Sequence, residues 1–157
     1  MILYILVMAI SVLIGMGVAT LFWAQIVKYA NCERKKMDNY YHLFDQWMSN
    51  YENNQTSELF FKENGYKNIA IYGMKELGRH LLNELEQTDI CVKYIIDRNL
   101  SMIPPEFTGY LPDDKLPEVD VIVITASYYY SEIREKLNHW GYDIVSIDDV
   151  VGGKYIK

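Results

Sequence analysis

The stretch Ile69-Ala-Ile-Tyr-Gly-Met-Lys-Glu-Leu-Gly-Arg-His-Leu81 constrains this chain more than any other. An apolar run of β type meets a glycine, Gly73. A second glycine, Gly78, follows five residues later, as a helical pattern begins. A strand that turns sharply into a helix opens a βαβ unit. The first glycine permits the turn, the helix N-terminus offers unpaired N–H groups to a phosphate, and the second glycine lets helix and strand pack closely. The nucleotide-binding form of this pattern is G-x-G-x-x-G, and its middle position here is Lys75. The fold signal stands; the cofactor signal is altered.

The N-terminus is the second constraint. Residues 1–27 carry no charged side chain and are almost wholly apolar. A spanning helix needs about 20 such residues, and tilt accommodates the excess. A secretory signal would show a basic start and a shorter apolar core; no Lys or Arg precedes this run. Residues 1–27 are therefore expected to be an uncleaved membrane anchor, with Trp23 and Tyr29 near the interface. Lys28, Arg34, Lys35 and Lys36 follow directly. By the positive-inside rule they predict a single-pass protein whose C-terminal body is cytoplasmic. A minor role on anionic headgroups is a second use for the same charges. Ser11, Gly15 and Ala19 form a small-residue stripe that would let two anchors approach as a homodimer.

Charge narrows the partners. The chain holds 15 basic and 21 acidic residues. Removing the four basic and one acidic residues of positions 1–36 leaves 11 and 20, a net charge of about −9 on the rest. That argues against nucleic acid. Cys32 and Cys91 fit a reducing compartment and have no metal-ligand spacing; Cys91, in an apolar strand pattern, is expected in the core. No metal cluster is visible.

Four segments follow: the anchor (1–27), a basic cluster with amphipathic helices (28–64), an α/β domain (65–151) and a tail (152–157). In the second, Tyr40, Tyr41, Leu43, Phe44, Trp47, Met48 and Tyr51 recur at helical spacing, so their apolar face must pack on the domain or on a second copy. Thr56 or Ser57 starts a short helix that ends at Asn64-Gly65. Strands are expected over 68–72, 90–96, 119–125 and 143–147, with a short one near 108–111. Helices are expected over 76–87 and 131–140, and a turn over 148–151. All four prolines fall between residues 98 and 118, an irregular segment. Strands alternating with helices give a parallel sheet, small for its class at about 85 residues and marginal alone.

In such a sheet ligands bind beyond the carboxyl ends of the strands. Three segments converge there: Gly73, Met74, Lys75, Glu76, Leu77 and Gly78 after the first strand, Asp97 and Arg98 after the second, and Thr125, Ala126 and Ser127 after the fourth. Asp97 lies 24 residues after Gly73, close to the spacing of an acid that binds ribose; capping the turn into Asn99 is the alternative. Lys75 crowds the approach of a pyrophosphate, yet its ammonium offers a point charge to a phosphate. One ring of Tyr128, Tyr129 and Tyr130 is expected in the core and the others at the surface, where they would also be placed to stack on a base. No Tyr-x-x-x-Lys pair follows Ser127, and no paired carboxylates stand out.

The stretch Phe61-Lys-Glu-Asn-Gly-Tyr-Lys-Asn-Ile-Ala-Ile-Tyr-Gly-Met-Lys-Glu-Leu-Gly-Arg79, with Val92-Lys-Tyr-Ile-Ile-Asp97 and Val119-Asp-Val-Ile-Val-Ile-Thr125, resembles small Rossmann-like domains from bacterial surface-polysaccharide loci. Such modules accompany glycosyltransferases, and related ones form the N-terminal part of sugar O-acyltransferases, where they bind a nucleotide-sugar. The resemblance covers residues 57–151, and its members often carry Gly in place of Lys75. It implies an α/β fold, a small Rossmann-like parallel sheet with flanking helices after one transmembrane helix. It also implies a nucleotide, NAD(P) or nucleotide-sugar ligand and a glycosyltransferase partner, without the acyltransferase's catalytic β-helix. The expected function is a non-catalytic nucleotide-binding module. A ligand-free scaffold that dimerises or recruits a glycosyltransferase is the second reading, and a small NAD-dependent oxidoreductase the third.

Overall fold

The computed structural model describes residues 1–153, so the predicted tail from residue 154 on lies outside the described residues. The chain divides into two compact units, Met1–Tyr41 and the remainder from His42.

The first unit lies within helix α1 (Ile2–Glu52). Its most apolar 18 residues have a mean hydropathy of 2.6, and by length and composition it can cross a membrane. Leu3, Leu13, Leu21 and Phe22 are two-thirds exposed or more. The Ser and Thr hydroxyls here bond within the helix: Ser11 Oγ donates to the Met8 carbonyl and Thr20 Oγ1 to that of Gly17, each at 2.8 Å. Hydrocarbon demands such internal pairing, because it offers no water to bond.

The second unit is α/β. Five strands, β1 (Asn68–Tyr72), β2 (Cys91–Ile96), β3 (Gly109–Tyr110), β4 (Val121–Ile124) and β5 (Asp143–Ser146), form one sheet in the order β3-β2-β1-β4-β5. Every pairing is parallel. The strand order reverses between β1 and β4. All four residues of β4 are buried, as a parallel strand covered on both faces requires.

Helix α3 (Glu76–Leu85) buries Leu77, Leu81, Leu82 and Leu85, each contributing about 1.5–3 kcal/mol on leaving water. Helix α2 (Ser57–Glu63) buries Phe60 and Phe61, and α4 (Tyr130–Leu137) buries Ile133 and Leu137. A 3₁₀ turn over Asn138–Trp140 continues α4 to Gly141, whose φ of +74° makes the left-handed stop. The last turns of α1 pack within this unit. Leu43 is buried, and the Phe44 ring stands edge-on to His80 at 5.5 Å. Asn50 Nδ2 donates to the Val151 carbonyl at 2.5 Å. Only part of the expected apolar face is covered, since Tyr41, Met48 and Tyr51 remain exposed.

The connection from β2 to β4 holds no α-helix. Tyrosine hydroxyls pin it instead: Tyr94 donates to the Pro117 carbonyl at 2.7 Å and Tyr142 to that of Leu116 at 3.1 Å. Burial raises the Tyr94 phenol pKa well above its ordinary value.

Two local expectations are overturned. Cys91 is exposed, not in the core. Ile69 pairs with Val92 but Ala70 with Tyr94, so Lys93 is bulged; Cys91 lies before this slip and faces solvent, while residues 94–96 are buried. Residues 148–151 form no simple turn but belong to helix α5 (Ile147–Gly152). Ser146 starts it: its Oγ accepts from Asp148 N at 3.2 Å, and its own N–H donates to Asp149 Oδ2 at 3.3 Å. This is the reciprocal arrangement of a capping box.

Candidate functional site

The carboxyl ends of β1, β2 and β4 bring the expected segments to one edge, flanking the reversal of strand order. β1 ends at Tyr72, and Gly73 turns the chain with a φ of +96°. A side chain there would be strained, and its Cβ would also lie 2.8 Å from Thr125 Oγ1. Gly78 is needed for a different reason. A Cβ on it would run into the Gly73 carbonyl, so the first turn of α3 sits directly on the β1 turn. Both glycines have the roles their spacing suggests.

The turn is tied to its neighbours through hydrogen bonds. Gly73 N donates to the Ile96 carbonyl at 2.8 Å and Thr125 N to that of Tyr72 at 3.0 Å. The Thr125 hydroxyl, buried, lies 2.7 Å from the Gly73 carbonyl and 3.0 Å from the Tyr72 carbonyl, with one proton for both. Asp97 supplies the remaining tie. Its Oδ2 accepts from Met74 N at 2.7 Å and its Oδ1 from Asn99 N at 2.8 Å. The carboxylate therefore caps the turn into Asn99 and also holds the turn after β1. Each oxygen keeps a second lone pair, so a ribose hydroxyl still has an acceptor.

Met74, Leu77 and Gly78 are buried and face the edge only through backbone. Lys75, Glu76 and Arg98 are exposed. Lys75 is the N-cap of α3 and gives it no side-chain hydrogen bond, leaving first-turn N–H groups without a side-chain acceptor. The helix dipole and two cations favour an anion here, while Glu76 and Asp97 oppose it. Ala126 and Ser127 are half-buried, and the chain passes through a 3₁₀ turn over Ser127–Tyr129 into α4. Tyr130 packs against the core, its hydroxyl donating to the Ile144 carbonyl at 3.0 Å, while Tyr128 and Tyr129 lie exposed at the edge.

Tyr72 is the site residue the sequence reading passes over. Burial raises its phenol pKa, and the Arg98 guanidinium beside its hydroxyl works against that rise. As the last residue of an apolar strand it reads as core, and nothing in the local pattern marks its hydroxyl as reaching the carboxyl edge. Among the described residues no three His, Cys, Asp or Glu side chains gather to hold a metal.

Comparison with known proteins finds no matching family model, no matching curated relative and no matching solved structure.

Proposed function

We propose that this protein is a membrane-anchored, cytoplasmic Rossmann-like module that binds a nucleotide or nucleotide-sugar without catalysing its conversion, in the service of cell-surface polysaccharide synthesis or glycosylation. One observation carries the binding reading. Where the strand order reverses, a glycine turn and a helix N-terminus without a side-chain cap stand beside exposed Lys75 and the Asp97 carboxylate. In this arrangement α3 and Lys75 hold phosphate and Asp97 receives a ribose hydroxyl. The polysaccharide setting rests on the resemblance carried by residues 57–151, and the orientation on Lys28, Arg34, Lys35 and Lys36.

The test is thermal unfolding of the full chain in detergent with NAD(H), NADP(H), UDP-, GDP- and dTDP-sugars and free nucleotides. A ligand at about a hundred times its Kd adds about 2.7 kcal/mol by mass action. A rise with one class that is lost in Lys75→Ala supports the reading; no rise with any of them sinks it. A reporter fused to the C-terminus, active only in the cytoplasm, checks the orientation.

The scaffold reading keeps one observation of its own. Both Asp97 oxygens already serve the chain's own N–H groups, which is what a turn stabilised without any ligand needs.

A further inference from the structure

Beside the carboxyl edge, on the face where the connection from β2 to β4 has no helix, lies a cleft of about 160 Å³. Tyr72, Asp113, Ile133, Lys136, His139 and Trp140 line it. At about 30 Å³ of liquid volume per water, that is room for about five waters. It falls below the ~300–1,000 Å³ of pockets that take drug-sized ligands. The space fits one ring, not a nucleotide.

The lining selects the kind of ring. Ile133 and the rings of Tyr72 and Trp140 give apolar surface. Asp113 offers a carboxylate at the rim. Lys136 offers an ammonium, which shares its charge with Glu132 at 2.7 Å. His139 Nδ1 sits 2.8 Å from the Lys136 carbonyl, which leaves Nε2 for another partner. Arg98 stands by the Tyr72 hydroxyl. The cations Arg98 and Lys136 are balanced by Asp113 and Glu132, so the charges do not select an anion. Apolar ring faces with mixed donors and acceptors at the rim suit a neutral ring that has an apolar face and hydroxyl edges. Trp140 adds its ring to the wall, while its indole N–H is buried away from solvent without an acceptor among the described residues.

We propose that this cleft is a monosaccharide subsite that takes the glycosyl part of the nucleotide-sugar. Tyr72 joins the two halves, since it walls the cleft and immediately precedes Gly73 of the phosphate turn. The inference rests on the nucleotide-sugar reading above.

The test uses the full chain in detergent, labelled with ¹⁵N-tryptophan, which gives three indole signals, from Trp23, Trp47 and Trp140. Trp140→Phe assigns the third. The probes are free glucose, galactose and N-acetylglucosamine, inorganic phosphate, UDP and UDP-N-acetylglucosamine. The expected result is a saturable shift of the Trp140 signal with a free neutral sugar at millimolar concentration, with Trp23 and Trp47 unmoved. Asp113→Asn, a change at an exposed position, weakens it about tenfold through the lost charged acceptor. UDP that stabilises the protein while no free sugar and no UDP-sugar moves Trp140 overturns the subsite and leaves nucleotide binding standing. Phosphate shifting Trp140 as strongly as the sugars overturns it in favour of an anion site. Silence with every probe, without any thermal stabilisation, overturns both.

Discussion

Asp97 Oδ2 accepts the Met74 N–H at 2.7 Å, fastening the end of β2 to the turn that leads from β1 into α3. The same carboxylate takes the Asn99 N–H at 2.8 Å, so one side chain organises two of the three loops at the carboxyl edge. Its role in the fold is therefore tested by two variants, apart from the ligand role proposed for it. Asp97→Ala leaves the N–H of buried Met74 without its acceptor and is expected to cost about 1–3 kcal/mol. Asp97→Asn keeps one carbonyl oxygen and is expected to retain most of the stability. Thermal melts of both variants without ligand check this. If Asp97→Ala melts with the parent protein, the tie is dispensable.

How much of this edge was legible depended on whether its cause was local. The β1 turn was readable because Gly73 and Gly78 carry out steric tasks within six residues, and because an apolar run with a glycine stop has few other uses. The Asp97–Met74 bond spans 23 residues, and no local pattern marks it; spacing alone suggested ribose or a cap. Cys91 is exposed at the amino end of β2, ahead of a slip in pairing at Lys93 that depends on β1 as much as on β2. Helix α5 was missed although its cap, Ser146-Ile-Asp-Asp149, was in plain view. Six residues are too few for periodicity to register, and the burial of Val150 and Val151 is a tertiary fact. Tyr72 was hidden by its own strand, since an apolar run gives no sign that a terminal hydroxyl reaches the edge.

Gly78→Ala tests the close approach of α3 to the turn. The added carbon would meet the Gly73 carbonyl and carbon, which are backbone and cannot swing aside. The helix must shift and part its leucines from the sheet. A loss of about 2–4 kcal/mol is expected, the range of overpacking with backbone displacement, although alanine is the better helix former. Urea unfolding checks it. A neutral or stabilising result would mean that α3 stands off the turn.

Lys75→Ala separates the proposed phosphate site from the fold. Lys75 is exposed and adds no side-chain cap to α3, so unliganded stability should change by less than about 0.5 kcal/mol. The thermal shift produced by a phosphate-bearing ligand should fall. Titration at two salt concentrations adds a second check: the part of the affinity that Lys75 supplies as a point charge weakens with salt, and the variant should lose that part of the salt dependence.

Asp120 predicts an acid limb. It accepts from Asn68 N at 2.6 Å and Lys67 N at 2.8 Å, and these backbone bonds, Asn68 first, hold its carboxyl below its ordinary 3.8. A depressed folded pKa contributes stability that is present above the unfolded value and lost as pH falls through the folded one. Asp120→Asn should therefore cost about 1 kcal/mol at neutral pH, a figure discounted for its exposed position. The difference from the parent should narrow as pH falls below 3.8 and close once both chains carry a neutral side chain. Melts across that range decide it, and a gap that stays constant with pH would assign the effect to packing.

Glu84 binds the last turns of α1 to the rest of the unit. Its Oε2 accepts from Trp47 Nε1 and Ser57 Oγ, each at 2.8 Å, and its Oε1 from Ser57 N at 2.7 Å. Glu84→Gln is informative because it keeps the shape. An amide has one oxygen to accept with, so its NH₂ must face either the Ser57 N–H or the Trp47–Ser57 hydroxyl pair. Donor then meets donor, and a cost of about 2 kcal/mol is expected, close to that of Glu84→Ala. Hydrogen exchange locates the loss. The Ser57 amide and the last turn of α1 should exchange faster in Glu84→Gln, while β1 and β4, held by the sheet, keep the protection of the global unfolding reaction. Uniform loss across the sheet would show that this carboxylate supports the whole unit, not the seam between α1, α2 and α3.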